Sequence, residues 1–123
     1  MNAFYCDGSG YNGQVSKYAV VDHEAGKTYI KTFRRNFTNN VMEYVAVLYA
    51  MRICEDGDVV FTDSKLVVEQ CNRDEAKRWK VNHPHLLKLQ THVLKWLEHK
   101  PNVELRWVGR RENVAGIILD NKK

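Results

Sequence analysis

One short run, Asp58-Val59-Val60-Phe61-Thr62, limits what this chain can fold into more than any other feature. It follows a Gly-containing turn and is continuously apolar at its centre, the pattern of a strand covered on both faces in the parallel part of a sheet. A parallel strand needs a crossover connection, and the segment upstream supplies one. From Asn40 to Ile53, Val41, Val45, Leu48 and Tyr49 recur at i, i+4, i+7 and i+8, which lines one face of a helix. An α/β architecture follows.

The flanking segments fill in the order. Ala3 to Cys6, Val15 to Asp22 and Lys27 to Phe33 read as three strands separated by the turn-rich stretches DGSGYNG and DHEAGK, so they form an antiparallel meander. The alternation within Lys27 to Phe33 is imperfect and leaves its buried face open. Beyond Thr62 a short helix spans about Ser64 to Cys71, and Asn72 to Lys80 form a polar connection. Pro84 suits a first helical position, with Leu86, Leu89, Val93 and Leu97 marking an amphipathic helix closed by Pro101 and Asn102. Val103, Leu105 and Trp107 alternate as a last strand, and Glu112 to Asp120 read as a terminal helix. The expected order is βββαβααβα, in one domain over residues 1–123.

Composition narrows the class of partner. The chain has 44% hydrophobic and 28% charged residues, an ordinary balance for a folded domain, and a net charge of +4 that leans toward polyanions. Cys6, Cys54 and Cys71 are an odd, scattered set with no zinc spacing, which points to a reducing compartment and a cytoplasmic location. No apolar run approaches the roughly 20 residues that cross a bilayer. No membrane and no obligate protein partner are expected, and the protein is expected to be a monomer.

The acidic residues carry the chemistry. Asp7 lies where the first strand meets a Gly-rich turn, and Asp63 follows the apolar strand. If those strands are parallel neighbours joined through the first long helix, their carboxylates lie side by side, with Glu43 close by in the first turn of that helix. Carboxylates held together resist ionising unless a cation neutralises them, which predicts hard divalent ions, Mg²⁺ or Mn²⁺. Two such ions about 4 Å apart activate a water and stabilise the departing oxygen of a phosphodiester. Each residue also has a plainer reading. Asp7-Gly8 is a common turn pair, Asn40 and Glu43 fit a capping box, Asp63 fits a helix cap, and Asp120 fits a solvated terminal residue.

As a set, Asp7-Gly8-Ser9, Thr38-Asn39-Asn40-Val41-Met42-Glu43, Thr62-Asp63-Ser64 and Arg111-Glu112-Asn113-Val114-Ala115-Gly116 resemble the ordered motifs of type 1 ribonucleases H over nearly the whole chain. The resemblance implies an RNase H-like fold, a five-stranded mixed sheet with three antiparallel then two parallel strands, flanked by helices. It also implies an endonuclease in which four carboxylates bind two Mg²⁺ ions to hydrolyse the RNA strand of an RNA/DNA hybrid and leave 5′-phosphate and 3′-hydroxyl ends. By motif position Asp7, Glu43 and Asp63 are catalytic metal ligands. Thr38, Asn39 and Asn40 take positions that hold the DNA phosphate and the minor groove of the hybrid, with N-capping as the alternative for the asparagines. Gly8, Ser9 and Asn12 belong to a Gly8 to Asn12 loop that meets RNA 2′-hydroxyls.

Four departures from the family pattern modify these expectations. Ala115-Gly116 stands where the family carries Ala-Asp, so the fourth carboxylate is assigned to Asp120, one helical turn later, with Asn121 or no fourth ligand as the alternatives. The loop histidine of the family is replaced by Gly109-Arg110-Arg111, where Arg110 or Arg111 is expected to hold a phosphate rather than shuttle a proton. Lys65 replaces a common glutamine and suggests a phosphate contact. The long basic protrusion of many relatives is missing, and Lys77, Arg78, Trp79 and Lys80 are expected to supply a reduced version, unless this is a solvated loop with Trp79 packed inward. His83-Pro84-His85 reads as a helix start rather than a metal site. Two other functions compete with hybrid cleavage. One is a hybrid-binding module with little or no activity, and the other is the same nuclease fold acting on DNA junctions or ends.

Overall fold

A computed structural model describes residues 1–121, the side chain of Asn121 excepted. The elements are β1 (Ala3–Ser9), β2 (Ser16–Asp22), β3 (Lys27–Phe33), α1 (Asn39–Ile53), β4 (Val59–Thr62), α2 (Lys65–Gln70), α3 (Pro84–His99), β5 (Glu104–Trp107) and α4 (Val114–Asn121), with single 3₁₀ turns at Glu75–Lys77 and Arg110–Glu112. The expected order therefore holds. The five strands form one sheet in the order β3-β2-β1-β4-β5. β1 runs antiparallel to β2 and β2 to β3, whereas β1 pairs parallel with β4 and β4 with β5.

Several boundaries differ from the sequence reading, each for a local reason. β1 continues to Ser9 because Asp7, Gly8 and Ser9 pair with Ala19, Tyr18 and Lys17 of β2. Asp7-Gly8 is therefore strand and not a turn, and of the expected Gly8 to Asn12 loop only the part beyond Ser9 is loop. The terminal helix begins at Val114, since Arg110–Glu112 form a separate 3₁₀ turn. In α1 the face marked by Val41, Val45, Leu48 and Tyr49 is only half-buried. Met42, Tyr44, Ala46, Val47, Ala50 and Met51 are the fully enclosed residues. The helix packs on β1 and β2 along one side and on α3 along another, so its apolar residues run almost all round and a single-face reading misplaces the core.

α1, α2 and α3 share the main core on one face of the sheet, while α4 alone covers β1 and β2 on the other. There Ala115 and Leu119 pack on Ala19, with Tyr5 and Val21 at the margin. In β3 the packed residues are Tyr29 and Phe33, while Ile30 is turned outward. At the far end of α1, Lys100 donates to the carbonyls of Met51 (2.8 Å) and Cys54 (2.5 Å) beneath the Trp96 ring, which ties the C-terminal ends of α1 and α3 together. The N-terminal end of α1 is then left beside the C-terminal ends of β1 and β4.

Candidate active site

Register decides the first pair of carboxylates. The parallel ladder between β1 and β4 ends at Cys6 opposite Thr62, so the next residues, Asp7 and Asp63, follow side by side. Neither does the work of its plainer reading. Ser64 caps α2 by accepting from Val67 N at 3.2 Å, which leaves the Asp63 carboxylate out of the cap.

The third carboxylate arrives from α1. Thr38 caps this helix, accepting from Val41 N at 3.2 Å, so Asn40 and Glu43 do not form a capping box. Glu43 instead accepts from Gly8 N at 2.5 Å, and Asn39, one turn earlier on the same face, accepts from Gly10 N at 2.5 Å. Both side chains anchor the end of β1 to the helix start. Gly8 makes the approach possible, because a Cβ there would lie 2.2 Å from the Met42 carbonyl carbon.

Carboxylate oxygens of Asp7, Glu43 and Asp63 lie within 4.8 Å of one another, the one such acidic, His or Cys group among the described residues. Burial, followed by the charge of Asp63, pushes the Asp7 carboxyl up to about 6, against the lowering effect of its hydrogen bond with Glu43. Burial, then the charges of Asp7 and Asp63, pushes Glu43 up to about 10. Glu43 thus keeps at neutral pH a proton that an ordinary carboxyl has lost, and Asp7 gives up its proton later than an ordinary aspartate does. A set of hard oxygen donors that repel in this way fits a divalent cation of the Mg²⁺ or Mn²⁺ type.

The fourth position is where the chain departs. A Cβ on Gly116 would lie 3.3 Å from Asp7 Oδ2 and 3.9 Å from Asp63 Oδ2, so α4 faces the carboxylates with a residue that has no side chain. Asp120 lies outside the trio, exposed on the last turn of α4, yet its charge contributes to raising Asp7. The Asn121 alternative concerns a side chain outside the described residues.

The remaining candidates surround this centre unevenly. Gly8 and Ser9 lie at the end of β1, half-buried, and Asn12 is exposed in the following turn, where its Oδ1 accepts from Gln14 N and Val15 N, both at 2.9 Å. Thr38, Asn39 and Asn40 are exposed at the start of α1, and Lys65 is exposed at the start of α2. Arg110 and Arg111 are exposed in the 3₁₀ turn before α4. Trp79 is 46% exposed, which rejects inward packing, and Lys80 beside it is exposed. Arg78 is occupied structurally, its Nε donating to the Asn72 carbonyl at 2.9 Å. His83 caps α3 through its Nδ1, in keeping with a helix start.

Sequence reasoning assigned no role to Asn113, which is completely buried. Its Nδ2 donates to the Cys6 carbonyl at 2.8 Å, and its Oδ1 accepts from Ala115 N at 3.2 Å. This amide pins the start of α4 to β1 one residue before Asp7. The signal was an asparagine directly ahead of an apolar helix, the usual capping pattern.

Known proteins resemble this chain in sequence and in fold. Residues 1–116 match the model of a family described as RNase H. A "Bifunctional protein Rv2228c" of Mycobacterium tuberculosis and an "Uncharacterized protein Mb2253c" of Mycobacterium bovis are each 38% identical to this chain over 88 residues, 68% of its length. The chain spans only 23% of the length of these curated relatives. Among solved structures, the N-terminal RNase H domain of Rv2228c from Mycobacterium tuberculosis, made as a fusion with maltose binding protein, superposes with a TM-score of 0.73 at 25% identity. That match covers 98% of this chain and 96% of the other. RNase H1 from the halophilic archaeon Halobacterium salinarum gives 0.75 at 22% identity over 98% of each chain. LC11-RNase H1, solved in complex with an RNA/DNA hybrid, gives 0.68 at 24% identity over 92% of this chain and 88% of its own. The last two likenesses concern the fold.

Proposed function

This chain belongs to the RNase H family, and from that premise we propose that it is a metal-dependent endonuclease that hydrolyses the RNA strand of RNA/DNA hybrids, leaving 5′-phosphate and 3′-hydroxyl ends. The observation that carries the reading is the trio of converging carboxylates, two of them driven toward protonation by burial and mutual repulsion. Such a cluster disfavours its own ionised form and gains from a cation. Asp7, Glu43 and Asp63 would hold Mg²⁺ or Mn²⁺, with Asp120 reaching in from α4. Bound there, divalent ions supply Lewis-acid stabilisation of a phosphodiester and a water activated as nucleophile.

The chain's own residues prepare that chemistry. Glu43 and Asn39 hold the amides of Gly8 and Gly10, which fixes the strand bearing Asp7 against α1. Asn113 fixes α4 over the same strand. Around this rigid centre, Gly8, Ser9, Asn12, Thr38, Asn39 and Asn40 are proposed to meet the minor groove and its 2′-hydroxyls, the feature that separates RNA from DNA. Lys65, Trp79, Lys80, Arg110 and Arg111 are proposed to hold phosphates and a stacked base, which makes binding strongly dependent on salt.

One observation favours a second reading. Gly116 presents no side chain where α4 faces the carboxylates, so a hybrid-binding module with weak or no cleavage is the alternative. An end-labelled hybrid incubated with Mg²⁺ or Mn²⁺, beside duplex RNA, duplex DNA and a four-way junction, separates the possibilities. Cleavage confined to the RNA of the hybrid supports the nuclease. Tight binding without products supports the module, and cutting of the junction alone overturns both.

A further inference from the structure

Trp107 is a large aromatic left 55% exposed on the edge strand β5, although folding normally hides much of an indole. It stands outside the packed core and is tied instead to the end of β4, beside the carboxylate trio. Trp107 pairs with Thr62 in the parallel ladder, directly before Asp63, and its Nε1 donates to the Asp63 carbonyl at 3.2 Å. The N–H is thereby satisfied and the ring orientation is held, while the ring itself stays in solvent. Gly109 adds no side chain beside it: a Cβ there would stand 3.9 Å from the indole Cη2 and 2.5 Å from Glu112 Oε2, so the Glu112 carboxylate borders the ring and more than half of the indole stays exposed.

We propose that Trp107 is a substrate-contact residue, whose indole stacks on the nucleotide next to the scissile phosphate of the strand being cut. This rests on the nuclease reading above. Neighbouring strands are separated by about 4.8 Å, so a ring one strand beyond the carboxylates lies about one nucleotide from a phosphate held there. Stacking on a sugar or base face tolerates any sequence, because every nucleotide offers such a face. An aromatic anchored through the backbone of Asp63 also links correct seating of the nucleotide to the position of that carboxylate. Trp107 would therefore set where along the strand the cut falls as well as how tightly the strand is held.

The test uses the Asp7→Asn chain, so that substrate survives, and fluorescence anisotropy of a dye-labelled RNA/DNA hybrid with Mg²⁺ present. Trp107→Ala is expected to weaken binding roughly five- to a hundredfold, the range found when one stacking aromatic is removed, and Trp107→Phe to keep most of the affinity. In a Trp79→Phe, Trp96→Phe background, the emission of the remaining Trp107 is expected to be quenched as hybrid is added. Unchanged affinity in Trp107→Ala, or unquenched emission while the hybrid binds, overturns the contact and leaves the nuclease reading standing. Equal losses in Trp107→Phe and Trp107→Ala overturn stacking in favour of the hydrogen bond to Asp63. Failure of the parent chain to bind hybrid removes the nuclease reading and this proposal with it.

Discussion

Acidic residues gather at both ends of the central strands, and the two groups are built on opposite principles. At the N-terminal ends of β1 and β4, buried Asp58 accepts from the amides of Asn2 at 2.9 Å and Glu55 at 2.8 Å. Asp22 nearby accepts from the Asn2 side chain at 2.7 Å and from Ala25 N at 3.0 Å, and the Asn2 bond in particular holds its carboxyl below the ordinary range. At the C-terminal ends, Asp7, Glu43 and Asp63 face one another, and Asp7 and Glu43 are raised. A carboxylate surrounded by N–H donors is content as an anion and fastens the chain. One surrounded by carboxylates resists ionising, and that repulsion is what the proposed cation site rests on.

Exchanging acids for amides breaks this comparison most sharply. Asp7→Asn, Glu43→Gln and Asp63→Asn are each expected to lower hybrid cleavage on the order of 10³-fold or more while the circular dichroism spectrum stays unchanged. Full activity in any of them removes that residue from the mechanism. Asp58→Ala should do the reverse. It strands two backbone donors and is expected to cost about 2–3 kcal/mol in urea unfolding, with the cleavage rate of the folded fraction preserved.

The pH response of the metal-free protein sharpens the contrast. Because Asp7 and Glu43 hold protons more tightly folded than unfolded, their contribution to stability is complete at low pH. It is lost as pH rises from the ordinary carboxyl range through about 6 for Asp7 and on toward about 10 for Glu43. Melting temperature without metal should fall across that window, Mg²⁺ should raise it more at pH 8 than at pH 5, and Glu43→Gln should flatten the profile. A Mg²⁺ effect independent of pH contradicts the repulsion. Asp22, whose pKa is lowered, runs the other way: its stabilisation is present above the ordinary carboxyl range and is lost as pH falls below it. The smallest effect belongs to Asp120→Ala, expected to reduce activity by roughly tenfold with a weaker apparent affinity for Mg²⁺ in calorimetry. Unchanged metal affinity there moves the fourth role away from Asp120.

Much of this was legible in the residues. The turn-separated strands, the apolar run Val59-Val60-Phe61 and the period change near Asn40 defined the element order, because they reflect local backbone preference and one-sided burial. Spacing and motif likeness also named Asp7, Glu43 and Asp63. Less legible were the elements whose surroundings are not local. α1 lost its single apolar face because it is covered on two sides, and Glu43 was separable from a helix cap only once Gly8 was seen to donate to it. Asn113 and Trp107 act on backbone groups of Cys6 and Asp63, partners 107 and 44 residues away, which no local pattern marks.

By itself, then, the sequence determined which segments become strands and helices and which side chains are acidic, since both are properties of a residue and its near neighbours. Tertiary structure alone decided which acids repel and which are satisfied. That depends on the β1 to β4 register, on the approach of α1 permitted by Gly8, and on the face of α4 occupied by Gly116, all set by packing between segments distant in the chain.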